Sequence, residues 1–222
     1  NLSIGDYTSV SGATNLTIIG GNVTTNGTAN LGGVINANVA SGDFQLQNYN
    51  DTKLGNISTQ NANITVANAG NITQEIGTQL SLGNLTLGTS NGSATLTQAN
   101  QITGTVAANV AGALSVTNND NLTLGNITAS SAGFNVGGNG ALTQAIDTAL
   151  SLTNGLDVVT ANGAATLSNN NSITGVVTGN VTGDFQLTNT QATTLGNITA
   201  TGVNVDSTGA LNVNGAVTAS TN

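Results

Sequence analysis

The chain has 222 residues, a net charge of −8 and only 5% charged residues, against about a quarter in an ordinary globular domain. It contains no His, Cys, Met, Trp or Pro, and Lys53 is its single basic residue. These absences exclude an ordinary zinc site, a thiol nucleophile and a phosphate-neutralising nucleic-acid surface, and no run approaches the ~20 apolar residues that span a bilayer.

The chain begins with Asn1 rather than Met, which reads as a processed product or a segment of something longer. Residues 1–41 end like the tail of a repeat, because Asn38-Val39 precedes Gly42 as Asn109-Val110 precedes Gly112. Residues 42–111 and 112–182 are two full copies of a unit of about 70 residues, and residues 183–222 begin a third. Leu-Gly-Asn-Ile stands at 54–57, 124–127 and 195–198. Gly-Asp-Phe-Gln-Leu at 42–46 returns at 183–187, with the looser Gly-Ala-Leu-Ser-Val at 112–116 between them. Ile-Thr-Gly at 102–104 returns at 173–175.

Within each copy the apolar period is two, as in Phe44-Gln-Leu46, Ile64-Thr-Val66, Leu80-Ser-Leu82, Leu122-Thr-Leu124 and Val203-Asn-Val205. That alternation predicts short strands, and the Asn, Gly, Ser and Asp clusters between them predict turns. No window shows helical spacing. Short, regularly spaced strands within a long-period repeat predict an all-β chain. The expected fold is a parallel β-helix, one continuous solenoid of about ten coils with three or four coils in each repeat. Asparagines inside the coils are expected to form ladders of side-chain amides, each bonded to the amide above and below. The alternative is a β-sandwich filament subunit completed by a donated strand, which fits short strands but not near-identical 70-residue units.

Leu122-Thr-Leu-Gly-Asn-Ile-Thr-Ala129, residues 195–205 and Thr208-Gly-Ala-Leu-Asn-Val-Asn-Gly-Ala-Val-Thr218 resemble the repeat shafts of large secreted bacterial adhesins of the filamentous haemagglutinin type. The resemblance spans about residues 12–220. It implies a right-handed parallel β-helix exported to the cell surface, acting as a stiff spacer or adhesive surface. It supplies no catalytic residues.

Asp43 and Asp184 share one repeat position, and Asp51 and Asp120 lie in turns. Calcium takes six to eight oxygens and could use such residues, but a turn carboxylate also bonds its own backbone, and the middle repeat has Ala113 at this position. Glu75, Asp147 and Asp157 form no sequence pattern for acid–base catalysis, so no enzyme and no cofactor are expected. Asn-x-Ser/Thr sequons at Asn15, Asn22, Asn56, Asn63, Asn71, Asn84, Asn126, Asn180 and Asn197 are candidate glycan acceptors in a secreted protein, although an Asn- and Thr-rich repeat also generates them by composition.

The expected role is a structural or adhesive filament element, extracellular or at the cell surface. Its expected partners are other copies of itself stacked head to tail, and surface glycans; the alternative is a carbohydrate-binding module. Nucleic acid and a membrane span are not expected.

Overall fold

The computed structural model describes residues 2–4, 9–10, 16–25 and 29–220. These form an all-β solenoid of about ten coils, with no helix among the described residues. Every strand pairing is parallel, between residues about 18–24 apart in the chain. This register excludes an antiparallel sandwich. At about 4.8 Å per coil the rod is about 45–50 Å long.

The period of two sets the core. Phe44, Leu46, Ile64, Leu80, Leu85, Leu122 and Leu124 are buried, while Gln45, Ser81, Thr86 and Asn63 alternate outward. Inward residues stack in columns, one per coil. Phe44 lies between Val23 and Ala62, and Phe185 lies above Ala165, so a large ring meets a small neighbour.

Each coil has two arms. Asp43–Asn48, residues 61–66, residues 84–89 and Thr105–Val110 are straight arms. Residues 52–59, Ile72–Gln74 with residues 80–82, and Ala94–Ile102 turn a corner midway. Thr105–Val110 is followed at once by a second straight arm, Ala113–Asn118, which opens the next repeat. Four straight and three cornered arms make three and a half coils per repeat, so successive repeats start half a turn apart.

The registers show the consequence. The straight-arm column Phe44, Ala62, Leu85 and Val106 is capped by Leu124 of a cornered arm. On the opposite face the cornered-arm column Thr52, Ile72 and Ala94 is capped by Leu114 of a straight arm. After two repeats the faces are restored, and the column Leu122, Leu142, Ala165 returns Phe185 to the face of Phe44.

Glycine is required where corners of adjacent coils touch. A Cβ on Gly92 would overlap the Gly70 carbonyl oxygen, and one on Gly163 would overlap that of Gly140. A Cβ on Gly133, in the strand Ser131–Val136, meets nothing within 4 Å.

Two results are expected in chemical or thermal unfolding. Leu124→Asp should destabilise by at least about 3 kcal/mol, because Leu124 is fully buried and an inward carboxylate has no partner there. Gly92→Ala and Gly163→Ala should each cost about 1–3 kcal/mol through overpacking, whereas Gly133→Ala should be neutral or slightly stabilising.

Candidate functional site

The corners are where polar side chains concentrate. A strand ladder breaks at a bend, and the main-chain groups freed there need partners. Side chains of the neighbouring coil supply them. The Asp43 N–H donates to Asn22 Oδ1 (2.9 Å), Asn61 Nδ2 to Asp43 Oδ1 (2.7 Å), Asn84 Nδ2 to Asn61 Oδ1 (2.9 Å) and the Thr105 N–H to Asn84 Oδ1 (2.8 Å). Along another edge the Asn71 N–H donates to Asp51 Oδ1 (2.7 Å), the Ser93 N–H to Asn71 Oδ1 (2.9 Å) and the Ala113 N–H to Ser93 Oγ (3.1 Å).

The four carboxylates named for calcium fall in different surroundings. Asp43 and Asp51 are rungs of these corner ladders, taking positions that Asn fills in neighbouring coils. Asp184 is exposed, and its β-carboxyl lies close to Gly202 of the next coil. Asp120 is exposed at the end of a groove beside Gln101 and Thr103. Among the described residues, no three acidic side chains converge on one point. Glu75 pairs with Lys53 at 3.1 Å, with both side chains partly exposed, and Asp157 accepts a hydrogen bond from Thr178 Oγ1 at 2.6 Å. Asp147 stands at a turn with φ of 60°, where the preceding repeat has Gly77 with φ of 77°.

Asn15 lies outside the described residues. The other sequon asparagines are all exposed, but their amides differ in use. The Oδ1 atoms of Asn22, Asn56, Asn71, Asn84, Asn126 and Asn197 each accept a main-chain N–H of the next coil. Asn71 and Asn84 also commit their Nδ2, the atom that a glycan would take. Asn63 and Asn180 stand in mid-strand, and their side chains make no hydrogen bond with the described residues.

Five asparagines face inward and are fully buried: Asn48, Asn100, Asn118, Asn171 and Asn189. They form no amide-on-amide ladder; among the described residues the direct Asn-to-Asn amide bonds lie on the surface, from Asn84 to Asn61 and from Asn50 to Asn30. Asn118 Oδ1 accepts the Ile102 N–H (2.8 Å) and its Nδ2 donates to the Ile102 carbonyl (3.0 Å), so one side chain replaces a strand residue across a gap. Asn48 does the same with Leu31, and Asn189 with Ile173. Amides meet directly in two reciprocal inward pairs, Gln74 with Asn100 (2.7 and 3.1 Å) and Gln144 with Asn171 (2.8 and 3.3 Å). Among the described residues no buried side-chain polar atom lacks a partner.

A stack of self-similar coils, stapled at matching positions by buried amides, defines a β-solenoid repeat protein. The family model described as Repeats of unknown function (DUF5649) matches residues 41–109 and 111–180, more than half of the chain. The chain belongs to that family. No curated protein and no solved structure matches it.

Inward and outward amides should differ sharply on mutation. Asn118→Leu strands the Ile102 N–H and carbonyl in the core and should cost about 2–4 kcal/mol in denaturant unfolding. Asn121→Ala removes an exposed acceptor of the Ala141 N–H (2.9 Å) and should cost no more than about 1 kcal/mol. Excess EDTA is expected to leave the thermal midpoint of the wild type in place, and a fall of several degrees would instead indicate a bound cation at Asp43 or Asp51.

Proposed function

We propose that the chain is a stiff structural or adhesive element of an extracellular or cell-surface filament, acting as the shaft of a filamentous-haemagglutinin-like adhesin or as a unit that stacks end to end. The observation that carries this reading is the unbroken stack, in which each coil pairs in parallel register with the next over about ten coils. Leu211 and Val217 are 48% and 40% exposed, although their counterparts one repeat earlier, Leu142 and Leu150, are fully buried, and Val213 between them is 56% exposed. Among the described residues, Leu211–Val213 and Val217–Ala219 pair with the coil below and with no strand above. An open parallel edge with apolar inward residues fits another coil of the same kind, from the same chain or from a second copy.

Three further features support a shaft. The core runs as one cluster along the rod. The sparse surface charge offers little repulsion to close packing of coils. Serine, threonine and asparagine dominate the outward positions, which keeps the surface hydrated without charge. A coil added from a second copy makes a heterologous contact, and repetition of that contact gives an open filament.

Analytical ultracentrifugation and negative-stain imaging at rising concentration test this. Growth of thin rods by end addition is expected. Val213→Lys with Val217→Lys should reduce association at least tenfold, while each single rod stays folded apart from its last coil. Rods of one length at every concentration would overturn end-to-end stacking of isolated copies. The adhesive role is tested separately, by binding of the purified chain to host cells or mucin, and no binding above that of a charge-matched control would overturn it.

A further inference from the structure

We propose that one face of the solenoid, along Asn38, Ser58, Ser81 and Gln101, is a binding groove for a neutral polysaccharide strand lying parallel to the rod axis. The four residues occupy successive coils in register, Asn38 beside Ser58, Ser58 beside Ser81 and Ser81 beside Gln101. All four are exposed, and their side chains make no hydrogen bond with the described residues. They therefore present one unused hydroxyl or amide per coil, at steps of about 4.8 Å.

Two shallow depressions follow one another along the lane. A groove of about 520 Å³ spans Asn38, Ser58 and Ser81, and a second of about 460 Å³ continues from Ser81 to Gln101. Both are shallow and open to solvent, so a ligand lying in them keeps one face in water. Three more amides line the first groove and are already fixed. Asn36 Oδ1 accepts the Asn56 N–H (2.8 Å), Asn56 Oδ1 accepts the Gln79 N–H (2.9 Å) and Gln79 Nε2 donates to the Ala99 carbonyl (2.9 Å). Each leaves its other polar atom unbonded, so donors and acceptors are held in place before a ligand arrives. Ile19, 79% exposed, adds an apolar contact at one end.

The neighbouring repeat shows that these amides are not demanded by the fold. At matching positions Asn36, Gln79 and Gln101 become Ala107, Ala149 and Ser172, while the inward residues keep their character. The half-turn between repeats places that poorer lane, Asn109, Thr128, Ser151 and Ser172, on the opposite face.

Mixed neutral donors and acceptors match sugar hydroxyls. A polyanion is disfavoured, because the only basic residue, Lys53, is paired with Glu75 and Asp120 lies in the second groove. An apolar peptide finds little to cover. The proposal stands apart from the shaft reading and does not depend on stacking.

The test is titration of the full chain with cellohexaose, maltohexaose and chitohexaose at millimolar concentrations, by calorimetry and by amide chemical-shift mapping. At least one should bind and shift Ser58, Ser81 and Gln101. Ser58→Val with Ser81→Val, both outward strand positions, should weaken binding at least tenfold. Thr128→Val with Ser151→Val, on the opposite face, should leave it unchanged. No binding of any of the three, shifts mapped elsewhere, equal loss in both double variants, or equally tight binding of polygalacturonate would each overturn the proposal. The mapping on the wild type decides the matter even if a variant misfolds.

Discussion

The structure depends on parallel hydrogen bonding between coils about twenty residues apart. No coil has a core of its own, since an inward Leu is covered by the residues above and below it and by the opposite arm. The main chain shows this at every edge, where the Thr52 N–H reaches the Asn71 carbonyl (2.8 Å) and the Ile72 N–H reaches that of Ser93 (2.9 Å). A slip of one residue would turn Leu80 and Leu82 outward and Ser81 inward. Register is therefore fixed by burial along each straight arm, and the corners must absorb every irregularity in coil length.

The corners do so with side chains. Coil lengths vary because the turns vary, as where residues 75–79 bulge between Ile72–Gln74 and Leu80–Thr89. Each irregularity would leave main-chain N–H and C=O groups without partners. An asparagine amide has the same donor and acceptor as a peptide group, displaced by one side-chain bond, and so restores the pairing without adding a residue. This accounts for the asparagine abundance more directly than surface solubility does. It also accounts for Asp43 and Asp51, since an acceptor toward an N–H is all that those two rungs require.

Much of this was legible in the sequence. The apolar period of two, the recurrence of Leu-Gly-Asn-Ile and the absence of helical spacing together specify stacked short strands, and the parallel register confirms it. The half-coil repeat was not legible, because it depends on two straight arms meeting at residues 105–118, and a strand of alternating residues looks the same on either face. The buried asparagines were hidden by their surroundings, since Asn118-Asn-Asp-Asn121 reads as a turn. A signal was present all the same. Asn48, Asn118 and Asn189 each continue the inward alternation of Phe44-x-Leu46, Leu114-x-Val116 and Phe185-x-Leu187 by one more step. The outward groove residues gave no signal of their own, because Ser, Asn and Gln are the default exterior of such a chain and only the register aligns them.

The half-coil repeat has a functional consequence that an integral one would not. With a whole number of coils per repeat, any outward feature would recur on one face, giving a rod with a single decorated side. With three and a half, adjacent repeats present the same position in opposite directions, and equivalent features return to one face only after seven coils, from Phe44 to Phe185. Ile76 and Ile146, 85% and 86% exposed at the tips of equivalent turns, therefore point away from opposite sides of the rod. The inward columns are indifferent to this alternation, because straight and cornered arms bury interchangeable apolar residues. Outward positions are free to diverge between the two faces, as Gln79 and Ala149 have done, without disturbing the stack. The chain thus separates a core that repeats every half turn from a surface on which each face can take its own chemistry.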